Sequence, residues 1–185
     1  MRFKLLLLLI STALAACAQL GFDSSGGESA SAGRTAEAAQ QDMKFMEEIA
    51  QANIAEIATG KLAESKAQAS EVRQFAARMV DEHSRLLKEG GKLAIAKGMP
   101  MPTAPDAQHQ AALKQLESLS GEAFDQTYMQ QMVKDHQATL QLLKQASSQA
   151  RDPQLRAHVQ KAIPHVQQHL ATAQRMSADL IGSAR

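Results

Sequence analysis

Apolar residues recur every three or four positions through most of this 185-residue chain, a spacing that places side chains on one face of an α-helix. Four long segments show this pattern, at about residues 42–67, 70–97, 122–149 and 152–181. A shorter amphipathic stretch, about residues 108–119, follows a proline-rich break in the connection between the second and third segments. The pattern predicts an all-α four-helix bundle over residues 42–181, with a short extra helix in its long connection.

The lengths of the connections leave two bundle topologies open. Short turns after the first and third long helices predict two antiparallel helical hairpins. The middle connection, about 24 residues long, could run the length of the bundle, as the crossover of ferritin-like folds does. It could equally be an elaborated loop in an up-down-up-down bundle.

The chain begins with the pattern of a secretory signal. Arg2 and Lys4 precede an apolar block at residues 5–10, which small residues follow up to Cys17. A membrane span would need about 20 apolar residues, so the pattern predicts a cleaved signal in residues 1–16. Because Cys17 is the single cysteine, no disulfide can form within the chain.

The segment Leu14-Ala15-Ala16-Cys17 resembles the lipobox of bacterial lipoproteins. That resemblance implies cleavage before Cys17, lipidation of this residue and attachment to a membrane of the cell envelope, on the periplasmic side. The alternative is ordinary signal cleavage without lipidation. Ala18 is not the aspartate that retains such lipoproteins in the inner membrane, so the resemblance favours the outer membrane.

Residues 17–41 are rich in Gly, Ser and Ala and show no apolar period. We expect a flexible tether there, with an end-to-end distance of about 27 Å. Composition also restricts the partners. The net charge is +1 and aromatic residues make up 3% of the chain, so nucleic acid is not expected to bind. The sequence indicates neither a protein partner nor an oligomeric state.

A pentapeptide that occurs twice gives the candidate site. It reads Met79-Val80-Asp81-Glu82-His83 and Met132-Val133-Lys134-Asp135-His136, each with an aromatic residue four positions earlier. At 1.5 Å per residue, both histidines fall at mid-bundle, level with Glu56 and with His165 or His169 of the fourth helix. If the rings of His83, His136 and His169 were more than about 8 Å apart, one metal ion could not bind all three.

Two main interpretations of these residues remain. In the first, the histidines are core residues that hydrogen-bond to one another and to Glu56, Asn53 and Tyr128, so that the bundle is a non-enzymatic structural or stress-related protein. In the second, the bundle holds copper, zinc or iron. A pH-dependent switch is a third possibility. The candidate ligands are Glu56, His83, His136, His165 and His169, with Asn53, Met79, Tyr128 and Met132 as supporting residues or soft ligands.

Other chemistry has little support in the sequence. A di-iron carboxylate site calls for Glu-x-x-His motifs, and none occurs in the chain. The sequence also has no nucleophile elbow and no glycine-rich phosphate loop, so we do not predict an enzyme. Glu82 and Asp135 point about 100° away from the histidines that follow them, which leaves each of them either solvated or bonded to a ligand.

Residues 42–181 resemble the ferritin-like bacterial family called domain of unknown function 4142. The resemblance implies a ferritin-like bundle, secreted or lipid-anchored, with no established activity. The motifs that carry it are Asn53-Ile54-Ala55-Glu56-Ile57, Gly60-Lys61-Leu62-Ala63, Val72-Arg73-Gln74-Phe75-Ala76, Met79, His83, His109-Gln110, Leu119-Ser120-Gly121, Phe124-Asp125, Tyr128, Met132-Val133, His136, Pro164 and His169-Leu170.

Overall fold

The computed structural model describes residues 25–183, in which every regular element is an α-helix. Four long helices and one short helix are present, as the apolar pattern predicts. Their bounds are α1 Ser25–Lys66, α2 Ser70–Ala96, α3 Ala107–Glu117, α4 Gly121–Gln149 and α5 Pro153–Ser183.

The start of α1 differs from the prediction. The helix begins at Ser25, so the expectation of a flexible tether is wrong for residues 25–41. Residues 36–41 are all Ala, Glu or Gln, which are strong helix formers, and the helix continues through the Gly and Ser residues before them. The rest of the tether, the signal segment at residues 1–16 and Cys17 lie outside the described residues.

Contacts at the two ends of the bundle define its topology. Lys97, just after α2, forms an ion pair with Asp152 at the start of α5, so α2 and α4 end at the same end of the bundle. At the opposite end, Lys66 Nζ donates to the Glu117 carbonyl at 2.5 Å, which joins the end of α1 to the end of α3. Because α2 and α4 therefore run in the same direction, the connection of residues 97–120 crosses the length of the bundle. This is the crossover of a ferritin-like fold.

A buried aspartate holds each hairpin turn by accepting two backbone N–H groups with its two carboxylate oxygens. Each aspartate belongs to the opposite hairpin, so the two hairpins hold each other. The bonds run to Asp125 from Gln68 and Ala69, at 2.9 and 2.7 Å, and to Asp42 from Arg151 and Asp152, at 2.9 and 2.7 Å. These bonds supply acceptors to N–H groups at the starts of α2 and α5 that no helical bond satisfies.

An arginine completes each turn in the same way. Arg73 Nη1 donates to two carbonyl groups of the α1–α2 turn, and Arg156 Nη1 donates to the two equivalent carbonyl groups of the α4–α5 turn. The arginines are 83 positions apart, and so are Asp42 and Asp125. The structural repeat of this chain is therefore the hairpin, with an offset of 83 residues, and not the pentapeptide pair.

The interior consists of two apolar cores separated by a polar layer. One core contains Phe75, Leu116, Phe124 and Tyr128, and the other contains Phe45, Leu143, Leu155 and Val166. On each long helix, the residues of this polar layer lie between positions of the two cores, whereas the buried Asp42, Asp125 and Ser177 lie outside it. The residues of the layer are Asn53, Glu56 and Thr59 on α1, His83 on α2, His136 on α4 and His169 on α5.

Candidate metal centre

Three histidines meet in the polar layer, one each from α2, α4 and α5. The rings of His83, His136 and His169 have centroids 5.3 to 5.5 Å apart, and each residue is only 1–2% exposed. One ring nitrogen of each residue lies within 4.8 Å of one nitrogen from each of the other two. The separation is well below the 8 Å limit, so one ion could reach all three rings.

Asn53 determines which nitrogen of His83 carries the proton. The Asn53 side-chain amide donates to the Ile49 carbonyl at 2.7 Å, which leaves its Oδ1 directed at His83 Nδ1, 2.9 Å away. An amide oxygen can only accept, so Nδ1 of His83 must be the protonated nitrogen. Its Nε2 therefore carries a lone pair, and it is buried without a hydrogen bond to any residue that the structure describes.

The other two histidines are fixed by the same logic. His136 Nδ1 donates to the Met132 carbonyl at 2.8 Å, and His169 Nε2 donates to the Glu82 carboxylate at 2.9 Å. Both acceptors lie outside the cluster. The remaining nitrogens, His136 Nε2 and His169 Nδ1, are buried without a hydrogen bond among the described residues.

The centre thus offers three neutral imidazole lone pairs in a buried space. An unsatisfied buried acceptor costs about 1–3 kcal/mol, and a bound cation would remove that cost at each of the three nitrogens. In metalloproteins, a ligating histidine typically donates its second nitrogen to a carboxylate or a carbonyl, which fixes the ring and its tautomer. Each of the three histidines already has such an acceptor.

The environment keeps the rings neutral. Burial lowers the pKa of His83 well below its usual range, with further lowering by His136 and His169. Burial and His169 lower the pKa of His136 to about 4, although its bond to the Met132 carbonyl acts in the opposite direction. Burial also lowers the pKa of His169, against the effect of Glu82. A ligating imidazole must be neutral, so protons do not compete with a metal ion at neutral pH.

Glu56 lies behind His136 and outside the group of three. Its Oε1 is 3.4 Å from His136 Nδ1, the nitrogen on the side away from the free lone pair. Both carboxylate oxygens are buried without a hydrogen bond in the described part of the chain. Burial raises the pKa of Glu56 well above its usual range, and Asp135 adds to this effect. Burial therefore disfavours the ionised form of Glu56, a positive charge arriving nearby would favour it, and Glu56 is not one of the gathered ligands.

The other candidates occupy different positions. His165 has an exposed side chain outside the polar layer, so the structure selects His169 from the fourth-helix pair. Met132 contributes its backbone carbonyl, and Met79 packs in the apolar core. Tyr128 lies between Phe75 and Phe124, and its hydroxyl forms no bond with the described residues. The bonds predicted among the histidines and to Tyr128 do not form. Of the predicted partners, Asn53 forms a clear hydrogen bond.

Glu82 is the residue whose position the sequence left undecided. It reaches from α2 to His169 of α5, and this bond and the charges of His169, His165 and Arg85 lower its pKa despite the opposing effect of partial burial. One signal in the sequence points to it. Two glutamates of α2, Glu82 and Glu89, are seven residues apart, and so are two histidines of α5, His158 and His165. A spacing of seven is typical of residues along the contact line between two helices.

The fold and this site define a class of protein, a ferritin-like four-helix bundle whose core layer carries histidines in place of paired glutamates. The chain belongs to the family described as domain of unknown function DUF4142, whose profile matches residues 27–176. The fold is also that of the crystal structure of a candidate secreted protein, DUF305, from Streptomyces coelicolor. The two chains share 13% identity with a TM-score of 0.65 over 75% of this chain and 93% of the other.

Among curated proteins, no sequence matches this one significantly. Within residues 25–183, no helix has both the length and the apolar character required to cross a membrane.

Proposed function

We propose that this protein binds one transition metal ion through His83, His136 and His169. The observation that carries the proposal is the set of three buried, unbonded ring nitrogens, each on a ring whose other nitrogen is fixed by an acceptor. Imidazole ligands suit copper, zinc and iron, whereas magnesium and calcium require oxygen ligands. Copper(II) and zinc fit best, because within residues 25–183 no carboxylate joins the three nitrogens.

The spacing of the nitrogens supports the proposal. Three atoms at most 4.8 Å apart can all lie within about 2.8 Å of a common point, while zinc–nitrogen bonds are about 2.0–2.1 Å long. A shift of about 0.7 Å per ring would form the bonds. We expect small rotations of the three side chains to provide this shift.

The charges around the centre favour a dication. Glu82 is bonded to His169 and supplies one negative charge, and Glu56 beside His136 can supply a second by losing its proton. A buried double charge would otherwise be very costly. Where Glu56 is protonated, binding should therefore favour release of its proton.

The test is a metal titration of protein purified without a histidine tag, using copper(II) and zinc in competition with a chromophoric chelator. We expect one ion per chain. His83→Ala, His136→Ala and His169→Ala should each weaken binding by about 100-fold or more, since one of three ligands is lost. His109→Ala is the matched control, because His109 lies on α3, is bonded to Asp106 and is not one of the three gathered histidines.

Two results would overturn the proposal. One is the absence of stoichiometric binding tighter than about micromolar, which corresponds to about 8 kcal/mol. The other is an equal loss of affinity in the His109→Ala variant and in the three centre variants.

We also propose that the bundle is a lipoprotein of the bacterial envelope, attached at Cys17 on the periplasmic side, in the outer membrane. The lipobox-like sequence before Cys17 supports this, as does the likeness to a protein named as a candidate secreted protein. Cys17→Ala should move the protein from the membrane fraction to the soluble fraction. If the variant remains with the membranes, the lipid anchor is refuted.

A further inference from the structure

An open groove runs along the seam between α2 and α5, outside the three-histidine centre. Its volume is about 690 Å³, and its polar lining consists of Glu82, Arg85, Glu89, Lys161, His165 and Gln168. The lining carries two glutamates, Glu82 and Glu89, and two cations, Arg85 and Lys161, and Arg85 is also ion-paired with Asp81. The groove therefore does not repel a dication, and it contains both oxygen and nitrogen ligands.

One carboxylate oxygen connects this groove to the buried centre. Glu82 Oε2 is 2.9 Å from His169 Nε2 and 3.6 Å from His165 Nδ1. The three side chains are 25%, 2% and 56% exposed, respectively. They form a continuous line from solvent to the ring that carries one of the free lone pairs.

We infer that His165 and Glu82 form a loading station through which a metal ion reaches the three-histidine centre. This inference rests on the proposed function. A hydrated ion entering the groove would exchange two of its waters for His165 Nδ1 and Glu82 Oε2. Once Glu82 binds the ion, its bond to His169 is weakened, and the ring of His169 is free to turn.

The turn of this ring delivers the ion. His169 keeps its proton on Nε2, and rotation of the ring brings the lone pair of Nδ1 to the groove side, where it can take the ion from His165. The reverse rotation carries the ion between His83 and His136 and restores the bond from Nε2 to Glu82. The transfer between His165, Glu82 and His169 exchanges only ligand bonds, with no change of oxidation state, and any proton that Glu56 loses leaves when the ion reaches the centre.

This route gives His165 a role that differs from that of a ligand. His165 does not belong to the gathered nitrogens, so the bound state does not depend on it. Its loss should slow loading and release by the same factor, because the dissociation constant is the ratio of the two rates and stays unchanged.

The experiment is stopped-flow loading of zinc, with a chromophoric chelator as the reporter, followed by release into excess chelator. We compare the wild-type chain, His165→Ala and His109→Ala. The last removes an imidazole from α3, which packs on α1 and α4, away from the α2–α5 seam. In His165→Ala we expect loading and release each to slow by about tenfold or more, with a dissociation constant within about twofold of wild type. His109→Ala should behave as wild type.

Three outcomes would overturn the inference. Unchanged rates in His165→Ala would remove the loading station and leave the metal centre intact. A loss of equilibrium affinity as large as that of His83→Ala would show that His165 is a ligand of the bound ion. The absence of binding in the wild-type protein at equilibrium would overturn the proposed function itself, and is recognised before any rate is measured.

Discussion

The buried position of His136 predicts how the stability of the metal-free protein depends on pH. Burial and His169 lower its pKa to about 4 in the folded protein, against about 6.5 in an unfolded chain. Between these values the unfolded chain binds a proton that the folded protein does not, so the free energy of unfolding decreases as the pH falls. From about pH 7 to about pH 4.5, this one residue lowers the free energy of unfolding by about 2.5 kcal/mol.

Glu56 changes the free energy of unfolding in the opposite direction, so it must be replaced before the decrease due to His136 can be measured. Its raised pKa means that, above about pH 4.5, the folded protein keeps a proton that the unfolded chain has lost. Stability therefore increases as the pH falls through that range. The informative pair is Glu56→Gln and the double variant Glu56→Gln/His136→Gln, since His83 and His169 are present in both and burial, the largest cause of their lowered pKa, is common to the two variants.

The assay is urea unfolding followed by circular dichroism at both pH values, with a chelator present so that no metal stabilises the fold. The Glu56→Gln variant should lose about 2.5 kcal/mol more than the double variant on acidification. With a urea dependence of about 1–3 kcal/mol per molar, the midpoint should shift by a further 0.8–2.5 M, roughly. Equal pH dependence in both variants would refute the reasoning, because His136 would then accept a proton as readily in the folded protein as in the unfolded chain.

Three further predictions follow from hydrogen bonds and packing. Asn53→Ala should weaken metal binding by about 10- to 100-fold in chelator competition, and unchanged affinity would contradict its role in fixing the tautomer. Asp42→Ala and Asp125→Ala should each lower the free energy of unfolding by about 3 kcal/mol. Because the two aspartates lie at opposite ends of the bundle, the two losses should add in the double variant. A loss that differs from the sum would show that the two turns are coupled. Gly60→Ala should lower the free energy of unfolding by about 1–3 kcal/mol, because the added Cβ would lie 2.8 Å from an α2 side chain. Gly91→Ala, whose added Cβ meets open space, should raise it by up to about 1 kcal/mol. Equal changes in the Tm of the two variants would contradict this prediction.

Local sequence patterns predicted most of the fold. The helix bounds after residue 60 agree closely with the structure, because prolines, glycines and changes of apolar period mark them. The choice between crossover and up-down-up-down topology could not be predicted, since both fit a connection of that length. It depends on which helix ends meet, and contacts such as that of Lys97 with Asp152 join residues far apart in the chain.

The rise per residue placed the candidate histidines at the right level, but level alone cannot choose between His165 and His169. The two are four positions apart and share one face of α5. The choice follows from how closely α2 packs against that face, which buries His169 and leaves His165 at the groove. The tautomers were also beyond the sequence, because each depends on an acceptor such as the Glu82 carboxylate of another helix or the Asn53 amide.

The offset of 83 residues separates the positions that hold the fold from those that carry the chemistry. The aspartates and arginines of the turns are identical across this offset. At mid-bundle the same offset pairs His136 with Asn53, His169 with Leu86, and His83 with Val166. The three histidines are therefore not related by the repeat, and a symmetric pair of hairpins supports an asymmetric centre. A shared fold consequently says little about ligands, and whether a related bundle binds metal should depend on these three positions and on the acceptors behind them.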